Sequence, residues 1–271
     1  MFFALANRGN SEECYHIVAP MSFPDSPTAL LQDLLRIPSV NPDCAPNQGA
    51  TGELECARFI GGLLEACGAE VGFDDVLPGR PNVIGRFPGA SPGKTGLLLA
   101  PHVDTVSVAG MSVDPFAAEI RDGKVYGRGA SDTKGTIAAM LWALRELGKD
   151  VAELTCSVTF VGLMGEEAGQ PGSQDFARRY GSDFSFAVVG EPTSLETVFA
   201  HKGCVWLKLS ARGRACHGST PGEGKNAIRE LLAVLEPLLR HLETRLPDYS
   251  DDVLGQPTVN LGMVQGGSRP N

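Results

Sequence analysis

The first regular pattern along the chain is helical. Leu30, Leu31, Leu34 and Leu35 recur at helix spacing after Pro27, and Pro38 with the S-V-N-P-D segment closes that helix. Residues 1–26 ahead of it read as an irregular extension. A second helix is predicted over 52–67, where Leu54, Ala57, Phe59, Ile60, Leu63 and Leu64 form the apolar stripe and Gly68 supplies the stop. The texture then shifts to short apolar runs at 82–87, 96–100 (GLLLA), 125–126, 155–163 (TCSVTFVGL) and 186–189 (FAVV). GLLLA, TCSVTFVGL and FAVV lack the alternation of a half-exposed strand and read as strands covered on both faces. Helical patterns at 135–147 and around 176–180 separate them. Strands alternating with helices predict an α/β domain over 27–198, with a mostly parallel sheet flanked by helices.

After about Val198 the pattern changes again. Residues 204–211 and 258–264 alternate apolar and polar, the period of a half-exposed strand, and a long amphipathic helix is predicted over 226–246 between them. This predicts the beginning of a smaller α+β domain over 199–271.

Composition narrows the function classes. Apolar residues make up 42% of the 271, enough to bury a core, and the net charge of −9 sets aside a general nucleic-acid binder, which needs a positive footprint. No apolar run approaches the roughly 18 residues of a membrane helix. The first apolar stretch, Met1 to Ala6, has no basic region before it, so it does not read as a signal peptide. The seven cysteines are odd in number and contain no C-x-x-C pair. That speaks against a disulfide framework or a cysteine-rich zinc site and for a reducing, cytoplasmic setting.

Candidate chemistry gathers at the ends of the apolar runs. His102 and Asp104 follow GLLLA in A-P-H-V-D-T, and Asp132 lies in G-R-G-A-S-D-T-K-G where the 135–147 helix opens. Glu166 and Glu167 follow TFVGLMG, and Glu191 follows FAVVG. Ligands of open α/β sheets bind outside the carboxyl ends of the strands, so these residues are expected on one rim. Imidazole with several carboxylates suits zinc, cobalt or manganese, and one carboxylate can bridge two ions. A neighbouring carboxylate that is not a ligand can act as a base, and Asp104 is placed to orient His102. Taken singly, each residue reads as a solvated loop side chain, and Asp132 equally as a helix cap. Three strands delivering such groups at the same end tip the balance towards a metal site.

Longer motifs carry a resemblance. The segments LLRIPSVNPD, LLLAPHVDTVSVAGMSVDPF, VYGRGASDTKGTIAAML, GLMGEEAGQPGS, VVGEPT, FAHKG and RGRACHGSTPGEGKNAI resemble the co-catalytic zinc amidohydrolases and peptidases of the acetylornithine deacetylase, succinyl-diaminopimelate desuccinylase, glutamate carboxypeptidase and aminoacylase family. They run in the family's order from about Leu30 to Asn271. The resemblance implies a zinc-peptidase-like catalytic domain with part of a ferredoxin-like lid and dimerisation domain. It implies two divalent metal ions, zinc first, with cobalt or manganese as alternatives. His102 and Glu191 would hold one ion, Asp132 would bridge, and Glu167 would hold the other. Glu166 would be the general base, Asp104 would support His102, and His217 would polarise the scissile carbonyl. Gly266, Gly267 and Asn271 match a G-G-x-x-x-N stretch whose asparagine lies near substrate. The substrate implied is a small N-acyl amino acid or short peptide, and the full-length form is expected as a homodimer. Glu191 at its position fits the acyl-amino-acid cleavers, where di- and tripeptidases often carry Asp.

One departure stands out. The family's last metal ligand is a histidine far downstream, and the histidines here are 16, 102, 201, 217 and 241. The expectation is therefore a truncated gene product or a partial sequence, with a damaged second metal site and weak activity or none. Two other motifs are set aside. P-G-A-S-P-G-K-T at 88–95 has Pro88 where a phosphate loop needs its first glycine, and a strand rather than a helix follows it. No G-x-S-x-G elbow occurs, so a serine hydrolase is unsupported.

Overall fold

A computed structural model describes residues 21–45, 52–89 and 96–267. The chain divides into two compact units, Met1–Ser194 and Leu195–Asn271.

The first unit is built on a five-stranded sheet in the order β1-β2-β6-β3-β7. Its strands are β1 (Glu70–Leu77), β2 (Arg80–Phe87), β3 (Gly96–Pro101), β6 (Val158–Gly162) and β7 (Phe184–Gly190). A separate short hairpin joins β4 (Glu119–Arg121) to β5 (Lys124–Tyr126). In the main sheet β6, β3 and β7 are parallel neighbours, and only β2 runs against the rest. Helices α1 (Pro27–Arg36), α2 (Glu53–Ala66) and α3 (Lys134–Leu147) pack on one face, and α4 (Pro171–Tyr180) on the other. Strand alternation divides the core: Val83, Phe87, Val158 and Phe160 meet the first layer, while Ile84 and Val161 meet Phe176 of α4.

Local chemistry accounts for the elements. Ser26 caps α1 by accepting the Ala29 amide at 3.1 Å, and Pro27 sits where its missing N–H costs nothing. Leu30, Leu34 and Leu35 are wholly buried, as their spacing requires. β6 is buried along its whole length, in line with its apolar run.

Two expectations fail here. FAVV is not a covered strand: in β7, Phe186 is 67% and Val189 62% exposed. Among the described residues β7 pairs with β3 alone, and side chains on both of its faces are exposed over 185–189. Residues 204–211 and 258–264 form no strand either. Val205, Trp206 and Leu207 are 81%, 86% and 71% exposed, so both parities face outward. Alternation supplies a face, but a strand also needs a neighbour for its amides and carbonyls. The second unit instead centres on α5 (Ala227–Arg245), capped by Asn226, whose Oδ1 accepts the Arg229 amide. No helix among the described residues is long and apolar enough to cross a membrane.

Candidate metal centre

The parallel strands β6, β3 and β7 end on one rim. His102 follows β3 and bridges to Leu163, which follows β6; Glu166 and Glu167 come three and four residues after Leu163; Glu191 directly follows β7. Asp132 arrives from the loop that opens α3. The structure thus brings His102, Asp132 and Glu167 together, with one ligand atom from each lying within 4.8 Å of the others.

His102 is oriented from one side. Its Nδ1 is 3.0 Å from the Asp104 carbonyl oxygen, which can only accept, so Nδ1 carries a proton and Nε2 is left for the rim. Nε2 lies 3.0 Å from Asp132 Oδ1 and 4.0 Å from Glu166 Oε2. Burial by itself would depress the imidazole pKa, but the Asp104 carboxylate, with Glu166 and Glu191, lifts it to about 9. The second imidazolium proton therefore sits between acceptors that would serve a metal cation equally well.

Asp104 is wholly buried and fully partnered. Burial would raise its carboxyl, but hydrogen bonds from His102, Asn41 and the Glu167 amide hold it below the usual carboxylate range. Asn41 Nδ2 donates to Oδ2 at 2.7 Å, and the Glu166 and Glu167 amides donate to Oδ1 and Oδ2 at 2.9 and 3.0 Å. One carboxylate thus supports both the imidazole and the acidic pair.

The acidic groups repel one another. Burial first, and then the Asp132 carboxylate, push Glu167 up to about 7. Burial, with Glu166 and Asp132, also raises Glu191. A divalent cation relieves this repulsion, and imidazole with carboxylates is a borderline-hard donor set suited to zinc or a similar ion. The residues present therefore fit a metal.

Asp132 is not the cap of α3: the residue at that position is Thr133, and Asp132 faces His102 instead. Thr133 Oγ1 donates to the Gly190 carbonyl at 2.8 Å, tying the Asp132 turn to the end of β7. Lys134 is buried and donates to the Leu34 and Ile37 carbonyls at 3.0 and 2.6 Å, so a cation closes the C-terminal end of α1. In the second unit His217 is exposed and its Nδ1 pairs with Ser219 Oγ at 2.7 Å. Asn271 lies outside the described residues.

Sequence reasoning missed Asn41, Glu53, Arg80 and Asn82. Asn41 stands inside the S-V-N-P-D segment, where a polar residue before proline reads as a turn. Glu53 opens a helix, where an acidic residue is ordinary. Neither position signals burial, yet both are at most 1% exposed. The six described cysteines are all free.

A mixed α/β sheet thus gathers imidazole and carboxylates at the ends of its parallel strands. A sequence model of Peptidase family M20/M25/M40 matches residues 98–261, more than half the chain. The chain belongs to that family. Solved structures agree on the fold. An M20 family metallo-carboxypeptidase from Sulfolobus solfataricus is 26% identical, with a TM-score of 0.51 over 61% of this chain and 37% of its own. A tripeptidase from Staphylococcus aureus is 21% identical, with a TM-score of 0.52 over 89% of this chain and 61% of its own. Human carnosine dipeptidase 1 is 24% identical, with a TM-score of 0.50 over 59% of this chain and 36% of its own. The match to each covers less than two thirds of that protein's length.

Proposed function

We propose that the protein takes part in metal-dependent hydrolysis of the amide bond of a small N-acyl amino acid. His102 and Glu191 would hold one divalent ion, Asp132 would be shared and Glu167 would hold a second, with zinc the ion this donor set favours. Such ions supply Lewis acidity to the scissile carbonyl and to attacking water. Glu166, beside His102 yet outside the trio of closest donors, takes the proton from attacking water and returns it to the leaving amine. Asp104 keeps Nε2 of His102 directed at the rim. The family resemblance alone assigns His217 to the developing oxyanion and Asn271 to substrate. The observation that supports this reading most is the convergence of His102, Asp132 and Glu167 from three separate segments.

A second reading takes a di- or tripeptide, or the end of a peptide, as substrate. The likeness to a metallo-carboxypeptidase at 26% identity favours it. A panel of N-acetyl and N-succinyl amino acids, dipeptides and tripeptides, assayed with added zinc, separates the two. Turnover of the acylated amino acids supports the first reading, and turnover of the peptides alone supports the second. Zinc binding with no turnover of any member marks a non-catalytic homologue. Glu166→Gln is expected to keep zinc while lowering turnover by about 10²–10⁴-fold, the usual size of a general-base contribution. Undiminished turnover in that variant removes Glu166 from the role.

A further inference from the structure

Four consecutive backbone amides, at residues 164 to 167, all donate to side-chain oxygens from distant parts of the chain. Met164 N–H goes to Asn82 Oδ1 at 3.0 Å, and Gly165 N–H to Glu53 Oε1 at 3.2 Å. The amides of Glu166 and Glu167 go to the two oxygens of Asp104. Helix and strand amides normally find backbone acceptors, so a run of four side-chain acceptors marks a turn whose orientation is imposed from outside. Gly165 has φ +70°, and a Cβ there would stand 3.0 Å from Pro171 Cγ, so the turn is confined sterically as well.

Glu53 is the unexpected member. It is 1% exposed, and burying a carboxylate is expensive unless it is paired. Arg80 supplies the pairing through Nε and Nη2, and its Nη1 reaches Asp43 Oδ2 at 3.1 Å. The Asp43 amide donates to Asn41 Oδ1 at 2.9 Å, and Asn41 Nδ2 returns to Asp104. These contacts close a ring from Asp104 through Asn41, Asp43, Arg80 and Glu53 to Gly165, and back through Glu166. A helix-opening glutamate that served only the dipole of α2 would need neither burial nor the Gly165 amide.

We infer that Glu53, held by Arg80, is a positioning residue that sets the peptide entering Gly165, one residue ahead of the acidic pair, so that Glu167 faces His102 and Asp132 while Glu166 stays beside His102. This rests on reading Glu166 and Glu167 as base and ligand. Two variants separate hydrogen bond from charge. Glu53→Asp keeps the charge for Arg80 but draws the acceptor back from the Gly165 amide. Glu53→Gln keeps the reach and gives up the charge.

Hydrogen exchange of the metal-free chain, zinc titration, and the absorption spectrum of the cobalt-loaded chain are the readouts. In Glu53→Asp, exchange at 164–167 is expected to rise about tenfold, the loss of one hydrogen bond. Zinc affinity is expected to fall about 10–100-fold, as for other residues that orient ligands, with an altered cobalt spectrum. In Glu53→Gln, where Oε1 still accepts from Gly165 but the N–H₂ group meets the Arg80 N–H, all three are expected to change clearly less than in Glu53→Asp. The inference is overturned if Glu53→Asp matches the parent, if Glu53→Gln falls as far as Glu53→Asp, or if protection in Glu53→Asp is lost across β3 and β6 as well. Glu167→Gln serves as the control. Unchanged zinc affinity there would defeat the reading of the metal site, whereas the exchange result would still decide the role of Glu53.

Discussion

Asp104 shows how one side chain can carry several duties. Its carboxylate accepts from Asn41 and from the Glu166 and Glu167 amides, and it is the principal opposite charge beside His102. Replacing it with Asn puts an N–H₂ group where two or more donors already point. Asp104→Asn is therefore expected to weaken zinc binding by about 10–100-fold, measured by titration of the purified chain. Affinity equal to the parent would contradict that role. The H-x-D spacing made Asp104 legible in the sequence, because a carboxylate two residues from an imidazole is a familiar orienting pair. Asn41, Arg80 and Asn82 were not legible. Each is an isolated polar residue whose partners come only from tertiary packing.

At the scale of elements, apolar runs located the strands but not their places in the sheet. TFVG and FAVV look alike as sequence, yet Phe160 of β6 is fully buried and Phe186 of β7 is 67% exposed. A strand is central or marginal according to its neighbours, which a run of residues does not record. β1 escaped notice for a different reason. Its residues 71–74 are all half-buried and its register shifts between Asp75 and Leu77 at its end, so no two-residue period runs along it. The contrast is measurable by denaturant unfolding. Phe160→Ala is expected to cost about 3–5 kcal/mol, and Phe186→Ala to stay within about 0.5 kcal/mol. Similar losses for the two would contradict this assignment of centre and edge.

For the whole molecule, the acidic rim makes the metal-free protein sensitive to pH in a definite direction. His102 moves from 6.5 to about 9 on folding, so the folded state keeps a proton that the unfolded chain releases. That contribution is complete below about pH 6.5 and is lost as pH rises towards 9. Glu167 moves from 4.5 to about 7, and a raised carboxyl likewise favours the protonated folded state, with its contribution lost between those values. The two windows join. The Tm of the metal-free chain is expected to fall as pH rises from about 5 to 8.5. A Tm that is flat or rising over that range would contradict the repulsion ascribed to the rim. A divalent ion bound at the rim would displace both protons, so zinc binding is expected to weaken as pH falls through the same range.

The account stands on the convergence of side chains from separate segments on one metal centre. Zinc titration of the chain and of its His102→Ala and Asp132→Asn variants measures this most directly. The parent is expected to bind zinc with a defined stoichiometry, and each variant to lose affinity by about tenfold or more. No zinc binding by the parent, or binding indifferent to both substitutions, would contradict it.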